Sequence, residues 1–270
     1  MRITLIGAGN VGVHLGKRLY KKKVKIHQVF SRTLENAKYL GDQINAAYTN
    51  QLEEIDGLAD IYILAIKDDL IGRVGEQLAK NKTVQKKLVV HTSGAVESTV
   101  LAPYFKHYGV FYPLQTFSKN KKVAFKNIPI CVDAEKRKDK KRLLFLANQI
   151  SKKVYTISDQ ERAILHVAAV FVNNFTNHLF YIASDICTKE QIDFNILQPL
   201  IQETVLKIQD QAPLEMQTGP ARRGDKATIK KHLLFLRQYP EYAILYSGLS
   251  ESIQNLYITV QNRAQRSENR

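Results

Sequence analysis

The stretch Ile3-Thr4-Leu5-Ile6-Gly7-Ala8-Gly9-Asn10-Val11-Gly12 decides how the first half of the chain is read. An apolar run of strand character ends in G-x-G-x-x-G, and the helix-forming segment Val13–Leu19 follows at once. In such a strand–turn–helix the first glycine makes the tight turn. The second leaves the backbone open to a pyrophosphate, and the third lets helix and strand pack closely. Free N–H groups at the helix N-terminus, with the positive end of its dipole, then face the phosphates. A second strand, Val24–Phe30, completes the unit. Gly7, Gly9, Asn10, Val11 and Gly12 are therefore candidate cofactor contacts.

The end of that second strand selects the nucleotide. An NAD site normally carries Asp or Glu there, about 20 residues beyond the glycines, to hold the ribose 2′-hydroxyl. This chain runs Val29-Phe30-Ser31-Arg32-Thr33, with no carboxylate before Glu35. Ser31 and Thr33 offer hydroxyls, and Arg32 offers a charge-assisted fork to a 2′-phosphate. The expectation is NADP(H) rather than NAD(H). The bland alternative for Arg32 is a solvated loop cation.

Working outward, strand-like apolar runs recur at Ile3–Ile6, Ile26–Phe30, Ile61–Ile66, Leu88–His91, Gly109–Tyr112, Ile128–Val132 and Val154–Ile157. Helical stretches are expected at 11–22, 33–43, 70–80, 96–106 and 136–150. Alternating strands and helices with short connections predict an α/β fold with a parallel, doubly wound Rossmann sheet. From Asp159 the pattern changes to long helices, at about 159–187, 193–211, 224–237 and 240–264, punctuated by Pro199, Pro213, Pro220 and Pro240. The expected domains are 1–157, binding the nucleotide, and 158–270, all-helical. Residues 265–270 read as a frayed tail.

Ligands in open parallel sheets lie beyond the carboxyl ends of the strands. Those ends read Ala65-Ile66-Lys67-Asp68-Asp69, then Thr92-Ser93-Gly94 after His91, then Tyr112-Pro113-Leu114-Gln115-Thr116-Phe117. Ala65, Ile66, Lys67, Thr92, Ser93 and Gly94 join the cofactor candidates; Pro113, Gln115 and Thr116 are candidates for substrate. Asp68 and Asp69 read more readily as caps of the next helix than as catalysts.

Composition bounds the rest. No apolar run approaches the roughly 20 residues of a membrane span, and the first residues are not those of a secretory signal. Two separated cysteines, Cys131 and Cys187, form no metal or disulfide pattern, so no metal and a reducing cytoplasm are expected. The net charge of +15 lies wholly in the first part: residues 1–158 hold 28 Lys and Arg against 13 Asp and Glu, and residues 159–270 hold 12 of each. Its dense runs, Lys21–Lys23, Lys119–Lys122 and Lys136–Arg142, lack interleaved aromatics, so no nucleic-acid partner is expected. A positive field does favour encounter with a polyanionic nucleotide.

The helix joining the halves carries an unusual stripe. At about 100° per residue, Arg162, His166, Asn173 and Asn177 share one arc of about 60°. A solvated face would be filled with Lys and Glu; uncharged His and Asn suit a polar cleft or a buried, internally satisfied helix. As chemistry, His166 is a proton donor or acceptor near neutral pH, with Asn173 and Asn177 orienting an oxygen. In Thr218-Gly219-Pro220-Ala221-Arg222-Arg223-Gly224-Asp225, Arg223 is a candidate to grip a substrate carboxylate or to brace the interface.

Taken together, Gly7–Gly12, His91-Thr92-Ser93-Gly94, Tyr112–Phe117, His166–Asn174 and Thr218–Asp225 resemble the bacterial Rossmann-like proteins with a C-terminal DUF2520 domain. The resemblance implies an NADP-binding domain, an all-helical second domain, and placement in the wider 6-phosphogluconate dehydrogenase-like group, whose members are commonly dimeric through the helical domain. Two departures stand out. β-Hydroxyacid relatives carry a catalytic Lys on the interdomain helix, whereas no Lys occurs between Lys153 and Lys189; and Tyr112 stands where the family often has His. The leading expectation is an NADPH-dependent oxidoreductase reducing a small carbonyl or imine compound, a keto acid being one candidate, beside Ser93-Gly94. The alternative is a non-catalytic NADP(H)-binding or redox-sensing protein.

Overall fold

The computed structural model describes residues 1–118, 121 and 123–268. Of the segments singled out above, Lys119, Asn120, Lys122, Asn269 and Arg270 lie outside the described residues. Strand β1 (Arg2–Ile6) leads through the glycines into α1 (Asn10–Lys21), β2 (Lys25–Phe30), α2 (Leu34–Ile44) and β3 (Ala47–Thr49). Then come β4 (Ile61–Leu64), α3 (Ile71–Ala79), β5 (Leu88–His91), β6 (Tyr108–Pro113), β7 (Pro129–Ala134), α4 (Arg137–Ile150) and β8 (Lys153–Thr156).

These strands form one sheet in the order β3-β2-β1-β4-β5-β6-β7-β8. The order reverses between β1 and β4, which opens a crevice at their carboxyl ends. The register Ile6↔Leu64 and Leu64↔His91 aligns three of those ends, so Gly7, Ala65 and Thr92 start their turns side by side. Alternate residues fill the two faces. Leu5, Ile63 and Val90 pack with Leu15, Leu40 and Leu146 on one side. Ile6, Tyr62, Leu64 and Val89 pack with Ile71, Leu78 and Phe105 on the other.

The sheet departs from expectation in three places. β6 and β7 are antiparallel, because their connection carries no crossover helix among the described residues, only the short turn Phe125–Asn127. β3 has no counterpart among the expected strands, because Ala47-Tyr48-Thr49 is too short to show a period. The helix expected over 96–106 is a single tight turn at Ser98–Leu101, cut short ahead of Pro103, although Leu101 and Phe105 still reach the core.

Past β8, Ser158 opens α5 (Asp159–Ala169) with a capping box: its hydroxyl accepts from Glu161 N–H at 3.2 Å, and the Glu161 carboxylate accepts from Ser158 N–H at 2.7 Å. A π-helical segment, Val170–Phe175, interrupts the helix before it resumes as α6 (Thr176–Lys189). α7 (Gln198–Asp210), α8 (Pro213–Met216), α9 (Pro220–Arg223), α10 (Lys226–Phe235) and α11 (Pro240–Glu268) follow. Pro199, Pro213 and Pro220 lie in first turns, where a missing N–H costs nothing. α11 runs through Glu268, past the end expected near 264.

Packing divides the chain into two compact units, Met1–Phe175 and Thr176–Arg270. The change of sequence character falls after residue 157; α5 and the π segment belong by contact to the sheet unit. No helix among the described residues is long and apolar enough to cross a membrane.

Candidate active site

The glycine turn has the form of an anion cradle. Gly7 has φ +115°, a conformation L side chains rarely adopt, and its N–H is held by the Phe30 carbonyl at 2.8 Å. A Cβ on Gly12 would lie 2.0 Å from the Gly7 carbonyl oxygen, so only glycine lets α1 begin this close to β1. Gly9 differs: nothing lies within 4 Å of where its Cβ would be. The space it leaves is outside the protein. Gly9 caps α1 without a side-chain bond, and the first turn holds no acidic residue, so its N–H groups face outward without a built-in anion. A pyrophosphate fits that turn.

At the end of β2, Ser31 N–H donates to the Thr49 carbonyl at 3.1 Å. Arg32 and Thr33 are exposed, and Arg32 has no protein partner among the described residues. A guanidinium presented this way fits a terminal phosphate. Ala65 is buried and its N–H donates to the Ile6 carbonyl; Ile66 is half-buried and Lys67 exposed. Asp68 and Asp69 lie exposed in a tight turn before α3, and no side-chain bond caps that turn or the helix, so the capping role expected of them is not realised.

The turn after β5 is built on a buried histidine. His91 is fully enclosed; its Nδ1 accepts from Ser93 N–H at 3.2 Å, leaving Nε2–H to donate to the Glu97 carbonyl at 3.3 Å. Burial, reinforced by the nearby Arg162 charge, pushes its pKa down to about 4, so it stays neutral. The Ser93 hydroxyl oxygen accepts from Ala95 and Val96 N–H, folding the loop back on itself. Thr92 bonds the Leu64 carbonyl through its N–H at 3.1 Å.

Arg162 clamps α5 onto this loop. Its guanidinium is 1% exposed, pairs with Asp159 at 2.6 Å and donates to the Val96 carbonyl. Burial alone would push the Asp159 carboxyl up, but Arg162 and the two Ser98 donors outweigh it and hold it below the usual range. The clamp sets His166, one turn later, over the loop. Its Nδ1 lies 3.4 Å from Tyr112 Oη, and the rings meet edge to face with centroids 6.3 Å apart.

Beside that pair opens a cavity of about 530 Å³ whose polar lining is Tyr112, Gln115, Thr116, His166, Asn173 and Asn174, with Leu114, Leu165 and Val172 among its apolar walls. The 113–118 turn is steadied by His14, whose Nε2 lies 2.9 Å from the Ser118 carbonyl and whose ring packs on Phe117. Pro113 is buried as the last residue of β6 and does not line the cavity.

The structure thus brings together His166, Asn173, Gln115 and Thr116, and adds Tyr112 and Asn174. The single polar arc drawn for the joining helix does not survive. Arg162 is buried as a brace, and the π segment breaks the uniform 100° step on which the arc rested, bringing Asn174 to the cavity with Asn173. Asn177 and Arg223 belong to the second compact unit, on α6 and at the end of α9. Tyr112 was visible in sequence as the strand-end residue beside Pro113. Asn174 gave no signal that a regular helical wheel could show.

Comparison with known proteins follows the same lines. Residues 1–115 match the Rossmann-like domain family, and residues 128–253 match DUF2520, a domain of unknown function. A comparison with curated proteins returns no match. Among solved structures, BF3122 from Bacteroides fragilis, provisionally named an NADP oxidoreductase, is 39% identical with a TM-score of 0.87, over 94% of this chain and 98% of that one. Protein TM1727 from Thermotoga maritima is 18% identical with a TM-score of 0.73, over 96% and 99%. An imine reductase from Myxococcus stipitatus, solved with NADP+, is 13% identical with a TM-score of 0.69, over 97% and 95%. The last two likenesses are likenesses of fold. By its two domain matches and its identity to BF3122, the chain belongs to the family of Rossmann-like proteins with a C-terminal DUF2520 domain.

Proposed function

We propose that the protein is an NADPH-dependent oxidoreductase that reduces a small carbonyl or imine compound. The observation that carries this reading is a polar cavity, lined by Tyr112, His166 and Asn173, on the turns beyond the carboxyl ends of strands whose glycine turn fits a pyrophosphate. The provisional name of BF3122 supports it.

Gly7, Gly9, Asn10, Val11 and Gly12 would hold the pyrophosphate, and Ser31, Arg32 and Thr33 the 2′-phosphate. The turns Ala65–Lys67 and Thr92–Gly94 would flank the rest of the dinucleotide. When bound, the nicotinamide supplies a hydride. The chain's own part is to hold the acceptor in the cavity against Gln115 and Thr116, orient its oxygen or nitrogen with Asn173, and manage the proton at His166. Asn177, as an orienting amide, and Arg223, as a carboxylate grip, are proposed from the sequence pattern alone; alanine at either should raise KM for an acidic substrate.

NADPH oxidation against a panel of small keto acids and cyclic imines tests the reading. Turnover supports it; tight NADPH binding without turnover by any member would favour a cofactor-binding sensor instead.

The working form is proposed to be a homodimer, in the cytoplasm. Single-chain exposures of 65% at Ile164, 76% at Val172, 70% at Ile196, 63% at Leu200 and 73% at Ile244 leave more apolar surface on the helices than a monomer comfortably carries. Light scattering coupled to size exclusion should give twice the mass of the chain; a monomer at micromolar concentration would rule the dimer out.

A further inference from the structure

Two residues of the cavity wall, Tyr112 and His166, meet against Gly94 of the loop behind them. Tyr112 Oη and His166 Nδ1 are 3.4 Å apart, and a Cβ built on Gly94 would fall 2.8 Å from the first and 2.6 Å from the second. Gly94 has no positive φ, so its glycine is required for room, not for backbone conformation. The loop after β5 therefore offers a flat seat on which a phenol and an imidazole meet.

Such a meeting has a chemical use. A phenol can accept one hydrogen bond and donate another at the same time. With His166 Nδ1–H directed at the Tyr112 oxygen, the phenolic proton is free for a group in the cavity. Burial pushes the Tyr112 phenol above its ordinary range, so the residue enters the reaction uncharged and carrying its proton. A phenol is also a far stronger acid than the alcohol that carbonyl reduction yields.

We propose that Tyr112 is the catalytic acid of this site and that His166 is the positioning residue that reloads it. The proposal rests on the reductase reading above and deepens it. In the step, the carbon of the substrate C=O or C=N takes up a hydride, two electrons with one proton, from a reduced nicotinamide. The π bond breaks, and its electron pair takes the Tyr112 proton, so that one O–H or N–H bond forms as the phenolic O–H breaks. The phenolate recovers a proton from His166 Nδ1–H while Nε2 takes one from water, which returns the imidazole as its other neutral tautomer. Exchange with solvent restores the Nδ1–H form. The sum is substrate, hydride and one solvent proton giving the reduced product.

The test is Tyr112→Phe in the intact protein, which keeps the ring over Gly94 and removes only the hydroxyl. With NADPH and a substrate the wild type turns over, kcat should fall by about 100-fold or more, while KM and the NADPH Kd stay within about threefold. A readout independent of turnover is the imidazole 15N spectrum of the cofactor-free protein. His166 should be the Nδ1–H tautomer in the wild type and shift toward Nε2–H in Tyr112→Phe. His166→Gln, whose amide can still donate to the phenol, should retain more activity than His166→Ala.

Turnover in Tyr112→Phe within about threefold of wild type would overturn the acid role and leave the reductase reading standing. An unchanged His166 spectrum in that variant would overturn the coupling of the two side chains. A wild type that binds NADPH and reduces nothing in the panel would bring down the reductase reading, and the acid role with it.

Discussion

Asp159 Oδ1 lies 2.6 Å from the Arg162 guanidinium, and Oδ2 of the same carboxylate accepts from the Ser98 N–H at 2.6 Å and its hydroxyl at 2.9 Å. One carboxylate thus ties α5 to the loop that carries Gly94. Removing it strands a guanidinium that is 1% exposed. Asp159→Ala should cost about 3 kcal/mol in unfolding free energy, whereas replacing both partners by apolar residues (Asp159→Leu with Arg162→Met) should cost clearly less. Urea unfolding of the three proteins checks this; a single variant no less stable than the double would contradict it.

Two of the three fingerprint glycines, Gly12 and Gly9, separate stability from binding. Gly12→Ala drives a methyl to 2.0 Å from the Gly7 carbonyl and should destabilise the fold by about 1–3 kcal/mol. Gly9→Ala meets no protein atom within 4 Å, in a backbone conformation any residue adopts. Its melting temperature should stay near the wild type while NADPH affinity falls by about tenfold or more, because the methyl occupies space meant for the pyrophosphate. Unchanged affinity in Gly9→Ala would mean that the ligand does not approach this turn.

Much of the sheet unit was legible because its cues are local. Gly7–Gly12 and the apolar runs follow rules that operate over a few residues, as do the Pro-led helices of the second unit. What escaped depends on distant neighbours or on backbone detail. The antiparallel β6–β7 pairing follows from a connection with no crossover helix among the described residues, and the three residues of β3 gain their strand character only from pairing with β2. The polar stripe was half legible: His166 and Asn173 reach the cavity, but a regular wheel cannot foresee a π segment, so Asn174 was missed. Arg162 looked like a lining residue and is a brace, a difference set by Asp159 and the Val96 carbonyl.

His91 should make the protein sensitive to mild acid. Its folded pKa of about 4 lies below the ordinary histidine value near 6.5, so the unfolded chain binds the proton first. Stability is then fully present above about pH 6.5, declines as pH falls and is lost through about pH 4, a change on the order of 3 kcal/mol. Unfolding free energy measured across this range should slope in the wild type and flatten in His91→Asn. An equal slope in both would place the titration elsewhere.

Gly94→Ala should uncouple catalysis from folding. The three atoms nearest the added methyl, His166 Nδ1 at 2.6 Å and Tyr112 Cζ and Oη at 2.7 and 2.8 Å, belong to side-chain rings and not to backbone, so the rings must turn aside and stability should fall by no more than about 1 kcal/mol. Tyr112 and His166 would nevertheless be pushed off their common seat, and a displacement of about an ångström at reacting groups can cost about 100-fold in rate. Near-normal stability with sharply reduced kcat is the expected pair of measurements; near-normal kcat would mean that the alignment is unimportant.

Arg32 should carry the choice between the two nicotinamide dinucleotides. It stands exposed just past β2, with no protein partner among the described residues, and the chain lacks the carboxylate that would hold a free 2′-hydroxyl there. A guanidinium fork on a phosphate is worth roughly 1.5–3 kcal/mol, or about 10- to 150-fold in affinity. Arg32→Ala should therefore weaken NADPH by that factor and leave NADH within about threefold, since NADH presents no phosphate for the fork to lose. Arg32→Lys should fall between, because an ammonium keeps the charge without the bidentate geometry. Fluorescence titration of both nucleotides against the three proteins decides it: equal losses for NADPH and NADH would place the 2′-phosphate away from Arg32, and a wild-type preference for NADH would reverse the assignment.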